Sequence, residues 1–251
     1  MMGFFDFSEF FASPKTPRQL IITDVTRMAG DAVCIAAAYG DKAVRLSTPQ
    51  PRDGWLTSVG NLTPGDRIAL TWRREKRYTP PHIEDGRWVP ASLRKLGRLS
   101  PADLVAAVER HAFSSVVKAF SQPLFRSPRG NPAFRPGKGS RSLATLRVKR
   151  VLVRPAVRGV RADFVDAEGI WKMVPVEDLA IRTHEEMCRD CRGDGFAENL
   201  ANEFSRGESL IRIGLGRAFQ SDGESRPGCY LQVNHILPID AIAHPHFAPI
   251  G

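Results

Sequence analysis

At 251 residues, with 42% hydrophobic and 25% charged side chains, the chain has an ordinary globular composition and is long enough to bury a core without disulfides. Four cysteines in this length exclude a disulfide framework and fit a reducing compartment, and no apolar run approaches the about 18 residues of a membrane span. The net charge of +9 and the isoelectric point near 9.8 are not ordinary, and they direct attention to polyanionic partners.

Residues 1–19 form an N-terminal extension that carries Phe4, Phe5, Phe7, Phe10 and Phe11 beside Asp6 and Glu9, and it breaks at Ser13-Pro14 and Thr16-Pro17. It lacks the basic start and apolar centre of a secretory signal, so the chain is expected to be soluble and cytoplasmic. Phe4, Phe7 and Phe11 share one helical face, which either folds back over the protein's own core or docks a protein partner.

Residues 20–98 read as β structure. Strand-like runs at 20–22, 32–39, 42–46 and 67–78 are separated by Gly30-Asp31, Gly40-Asp41, the 49–54 stretch and Pro64-Gly65-Asp66. In the last run Ile68, Leu70 and Trp72 point one way and Arg67, Ala69, Thr71 and Arg73 the other. Short, evenly spaced strands with Gly and Pro turns predict a small barrel or sandwich. A helical connector and basic loop follow over 99–140. Ser100 can cap the helix, Pro101 suits its first position, Asp103 sits in its first turn, and an apolar stripe from Leu104 to Phe120 runs until Pro123. The helix expected over 101–119 is the longest in the chain.

A second β series over 141–240 contains strand-like runs at 142–153, 158–165, 170–174 and 178–183, a polar helix or loop over 184–207, and a final pair at 209–219 and 228–237. Ala167-Glu168-Gly169 is placed at a hairpin turn, and 241–251 is a tail. The fold expected is mostly β: two OB-like β-barrels joined by a helical connector.

The charge is clustered. From Arg110 through Ala162 there is no Asp or Glu, yet thirteen Lys and Arg. Such a stretch is either a solvated basic face or a surface for nucleic acid, where neutralised phosphates release counterions. Its densest part holds Arg126, Arg129, Arg135, Lys138, Arg141, Arg147, Lys149 and Arg150, with Phe134 among them as a ring on which a base could stack. Earlier, Trp72, Arg73, Arg74, Lys76, Arg77 and Tyr78 combine cations with aromatic rings. On an extended strand Trp72, Arg74, Lys76 and Tyr78 share a face, unless Trp72 instead closes the core.

Four stretches resemble the dual OB-containing family of prokaryotic proteins: Ile21-Ile22-Thr23-Asp24 leading to Val33-Cys34-Ile35-Ala36; Pro80-Pro81-His82-Ile83-Glu84-Asp85; Asn131-Pro132 followed by Ser142-Leu143-Ala144; and Gly228-Cys229-Tyr230-Leu231-Gln232-Val233. The chain departs from that pattern at Gly86-Arg87 before Trp88 and in its Phe-rich tip. The resemblance implies two OB-like barrels that bind single-stranded DNA or RNA, or a protein, as an accessory factor in a prokaryotic nucleic-acid or defence pathway.

Other constellations are weaker. His184, Cys188 and Cys191, with Cys229 or His235, have partial zinc spacing but no second Cys-x-x-Cys, and no metal or other cofactor is expected. His82, Glu84 and Asp85 place a base beside two carboxylates, either for metal-dependent phosphodiester hydrolysis or as a turn that pins a loop. Gly130 to Ser140 and Gly214-Leu215-Gly216 miss the positions of phosphate-binding glycine loops. The chain is therefore read as a non-enzymatic nucleic-acid binder, with a protein adaptor and a nuclease as alternatives.

Overall fold

The computed structural model describes residues 16–122, 124–127, 130–157, 159–190 (backbone only for 187–190), 207–220 and 226–239. The Phe-rich segment, Arg129 and Cys191 lie outside these residues, as does the side chain of Cys188.

The first sheet is built from β1 (Arg18–Arg27), β2 (Val33–Tyr39), β3 (Lys42–Thr48), β4 (Asp66–Leu70), β5 (Trp72–Arg74), β6 (Asp85–Trp88) and β7 (Arg94–Arg98), with a short helix α1 (Asp53–Ser58) after β3. Its strand order is β5-β6-β3-β2-β1-β4-β7, antiparallel except where β3 meets β6. Alternation sorts its side chains. Ile35, Ala37, Val44 and Leu46 join Ile22, Ile68, Leu70, Trp72 and Trp88 in one core. The cross-strand pairs Ala36↔Arg45 and Ala38↔Ala43 occupy the opposite face. Gly86 allows the close approach of three strands, because a Cβ there would meet the carbonyls of Arg73 at 3.3 Å and Arg45 at 3.4 Å.

Next come α2 (Pro101–Glu109), β8 (Ala112–Phe113) and α3 (Val116–Phe120), so the single helix expected over 101–119 is two helices with a strand between them. Ser100 caps α2 as anticipated, its Oγ accepting from the Asp103 amide at 3.1 Å. The break arises because Ala112 and Phe113 pair with β11, while Ser115 starts a new helix by accepting from the Lys118 amide and Asp166 accepts from the Val116 amide. Leu104, Val105 and Val108 of α2 pack on Leu210, Ile21 and Leu237, between the two sheets.

The second sheet contains β11 (Leu143–Val148), β12 (Arg150–Pro155), β13 (Val160–Val165), β14 (Ile170–Val176), β15 (Ser209–Leu215) and β16 (Cys229–Pro238), in the order β12-β13-β14-β16-β15-β11-β8. Two short strands, β9 (Phe125–Arg126) and β10 (Pro132–Phe134), attach to it through β16. The run 142–153 turns at Lys149 rather than continuing. The run 178–183 is helical: Asp178 accepts from the Ile181 amide and starts α4 (Leu179–Asp190), which is the longest helix among the described residues. At the 167–169 hairpin the Asp166 carboxylate accepts from the amides of Glu168 and Gly169.

The protein is thus mostly β, with a separate apolar core beneath each sheet. Neither strand path joins its own ends among the described residues. Buried polar groups tie the sheets together. Asp24 of β1 accepts from Arg212 Nε at 2.8 Å and Asn234 Nδ2 at 3.1 Å, and Arg212 also donates to Thr145 and Thr23. At one edge the Arg27 amide donates to the Glu177 carbonyl, and His235 pairs with Asp178.

Candidate nucleic-acid interface

The first basic segment leaves β5 and returns at β6. Trp72 is buried in the first core, edge-on to Tyr39 with ring centroids 5.6 Å apart, and Arg18 lies over its ring. It offers no face to a base, because the alternation that points Ile68 and Leu70 inward carries it inward as well. The expected shared face of Trp72, Arg74, Lys76 and Tyr78 does not form, since the strand ends at Arg74. Arg74 donates through Nε to the Ile83 carbonyl at 2.8 Å and covers Tyr78, which is 45% exposed. Lys76 and Arg77 are exposed, and Arg73 is half-buried. Together with Glu75 and Arg87, which pair at 2.7 Å, these residues line a cavity of about 300 Å³.

The second basic segment runs from β9 through β10 to β11. Phe134 is 1% exposed and packs with Phe120 and Ala144 in the second core, so the ring expected to stack on a base is a core residue. β10 draws it inward by pairing Phe134 with Cys229 of β16. Arg126 is exposed, donates to the Gly130 carbonyl and lies over Trp171. Arg135 and Lys138 are exposed and form no ion pair among the described residues. The Arg141 guanidinium lies 4.7 Å from the Phe113 ring centroid.

The two segments meet. The Gly137 amide donates to the Pro80 carbonyl at 2.8 Å, and Gly139 sits against Pro81 and Phe134. Gly139 has φ +95°, and a Cβ there would lie 2.9 Å from the Phe134 ring, so glycine is what lets the basic loop lie on the 79–82 turn. Arg74, at the end of β5, and Lys76, Arg77, Arg135, Lys138 and Arg141 in the loops therefore belong to neighbouring segments, although the sequence separates the two groups widely.

Beneath this junction lie His82, Glu84 and Asp85. Arg45 Nη1 donates to His82 Nδ1 at 2.8 Å and to Asp85 at 3.2 Å, and its Nη2 donates to Ser142. Glu84 accepts from the Ser142 amide and hydroxyl at 2.7 and 2.8 Å, while Arg217 pairs with Asp85. The two carboxylates are thus held by protein donors and pin the turn to the start of β11. Burial, together with Arg45 and Arg217, pushes the His82 pKa down to about 3, although the Gly216 backbone pulls it upward. With Nδ1 accepting from Arg45, the neutral ring carries its proton on Nε2. The Cys229 thiol, 3.9 Å from that nitrogen, is pushed up by burial, as is Cys34.

Not all of the acid-free stretch is acid-free in space. Arg147 pairs with Glu109 and Glu208 at 2.6 Å, and Arg154 pairs with Asp163. Lys149 and Arg150 are exposed at the far end of β11, about 20 Å along the strand from Ser142. They do not join the junction.

The Asp24–Arg212–Asn234 cluster and Arg45 were not singled out from the sequence. The one signal for that face is the pair Ala36 and Ala38, small residues of low β propensity within a strand, of which Ala36 is the cross-strand neighbour of Asp24. No family model matches the chain, and no curated protein matches it. Among solved structures the chain is similar to the tetrameric p202 HIN2 (12% identity, TM-score 0.32, 87% of this chain and 92% of that one) and the p204 HINb domain (11%, 0.33, 86% and 96%). It is also similar to a murine DNA-binding protein bound with double-stranded DNA (10%, 0.31, 86% and 92%). A likeness of this degree defines neither fold nor ligand.

Proposed function

We propose that the protein is a non-enzymatic binder of single-stranded nucleic acid, built of two OB-like units over 20–98 and 141–240 joined by 99–140. In keeping with the family resemblance, it would serve as an accessory factor in a prokaryotic nucleic-acid or defence pathway. The observation that carries the reading is the Gly137–Pro80 hydrogen bond, which joins two basic loops into one surface. Arg74, Lys76, Arg77, Arg135, Lys138 and Arg141 form its centre, with Tyr78 as the exposed ring and Arg73 and Arg126 at its margin; Arg129, the remaining candidate, lies outside the described residues. Lys149 and Arg150 would meet a longer strand at a second point. Trp72 and Phe134 take no part. The non-enzymatic reading is supported by His82, Glu84 and Asp85, whose polar atoms are engaged by Arg45, Arg217 and Ser142.

The test is a titration of the protein with random-sequence single-stranded oligonucleotides over a range of salt concentrations. Binding at low salt that weakens linearly in log–log form is expected. Absence of binding at low salt would remove the reading and leave the adaptor alternative.

A further inference from the structure

We infer that the crevice between the two sheets, beside α2, receives one unpaired nucleobase of a bound strand, with a flanking phosphate held by Arg74 and Arg141. This inference rests on the nucleic-acid reading above and adds a base-binding subsite to it. The crevice has a volume of about 340 Å³. That lies at the lower end of small-molecule sites, enough for one nucleoside but not for a peptide helix or several stacked bases.

Its walls are largely apolar, and its exposed lining carries the cations Lys42 and Arg74 beside one carboxylate, Asp41. On one side are Ala38 and Ala43, directly opposite each other on β2 and β3 and both half-buried, so two of the smallest side chains leave the space open. On the other side stand Val108 and Phe113. Lys42, Arg74, His111 and Arg141 also line it, and Arg74 and Arg141 belong to the basic junction as well, so the crevice opens from the proposed phosphate path. Thr145 lines it as well, and its hydroxyl, which accepts from Arg212, keeps an O–H to donate to the edge of a base.

Arg141 narrows the choice of ligand. Its guanidinium lies on Phe113, while its Nε is buried and has no hydrogen-bond partner among the described residues. An unsatisfied buried donor on a cation is costly and calls for an acceptor, preferably an anionic one. An aliphatic ligand would leave that donor unmet. A free phosphate would leave the apolar walls unused. A planar base with its phosphate satisfies both.

The experiment compares a single-stranded oligonucleotide with an abasic strand of equal length and charge, against the wild-type protein and against Ala43→Phe and Ala38→Leu, which fill the crevice. Wild type should bind the base-bearing strand about 10-fold more tightly, within the range that base stacking contributes. Either filled variant should lose that preference while keeping the wild-type salt slope. Equal wild-type affinity for the two strands would overturn the inference, and this arm needs no variant to fold. A folded variant that keeps the preference would overturn it too. In both of those cases salt-dependent binding of the two strands would leave the basic surface standing, whereas failure of both strands to bind would remove the surface itself.

Discussion

The sheets are held against each other by charge as well as by apolar packing, and Asp24→Ala isolates that contribution. Asp24 is fully buried and accepts from Thr23, Arg212 and Asn234, while Arg212 is only 6% exposed. Removing the carboxylate leaves a buried guanidinium whose remaining partners, Thr145 and Thr23, are neutral. Leaving one partner of a buried pair uncompensated costs about 3–5 kcal/mol. For a chain of this size that corresponds to a fall in Tm of about 6–20 °C. Urea unfolding followed by circular dichroism and by tryptophan fluorescence measures it, since Trp55, Trp72 and Trp88 report on the first core. The double variant Asp24→Leu with Arg212→Met removes both charges and should be more stable than Asp24→Ala, because no unpaired ion remains in the interface. A loss below about 1 kcal/mol in the single variant, or a double variant no better than the single, would refute the claim that a buried ion pair fastens the sheets.

Phe134→Ala should cost about 3–5 kcal/mol of stability, as expected for a buried phenylalanine, while the protein that remains folded keeps its oligonucleotide affinity; reduced affinity with unchanged stability would restore the stacking role. Acid should weaken the fold partly through His82. Its folded pKa, near 3, lies below its unfolded value near 6.5, so its contribution is complete above pH 6.5 and is lost as pH falls towards 3. His82→Gln should therefore show a shallower loss of unfolding free energy between pH 6 and pH 4 than wild type, by up to about 1.4 kcal/mol per pH unit, and identical profiles would contradict a neutral buried histidine. Gly139→Ala should lower stability by about 1–3 kcal/mol through its positive φ and the Phe134 contact, and thermal melting checks it.

The β character, most strand positions in both halves and the capped start of α2 were legible in the sequence, because alternation, turn residues and Ser100-Pro101 are local signals. The strand break after Arg74 and the helix break at Ala112 were not, since each depends on pairing with a later strand that local patterning does not name. β6 takes up β5, and β11 takes up β8. The same limit governs the site. Charge density marked both basic segments correctly as basic, but composition gives no burial. Trp72 and Phe134 look like rings among cations and are core residues, drawn inward by strands that place them there. Arg147 looks unpaired in an acid-free stretch and is neutralised by Glu109 and Glu208, which lie elsewhere in the sequence. The aspartate that locks the sheets comes from β1 and the arginine and asparagine from β15 and β16, far along the chain, and only Ala36, the cross-strand neighbour of Asp24, left a trace.

The most direct test of the account is whether the two basic loops act as one surface. The measurement is the log–log salt slope for one short single-stranded oligonucleotide with wild type, Arg74→Gln/Arg77→Gln, Arg135→Gln/Lys138→Gln and the fourfold variant. Each cation that meets a phosphate contributes about 0.7 to the slope on a single strand, so each pair should flatten it by about 1.4 and the fourfold variant by about 3. A pair whose removal leaves both slope and affinity unchanged would show that its loop lies off the nucleic-acid path and that the Gly137–Pro80 junction does not make a single binding surface.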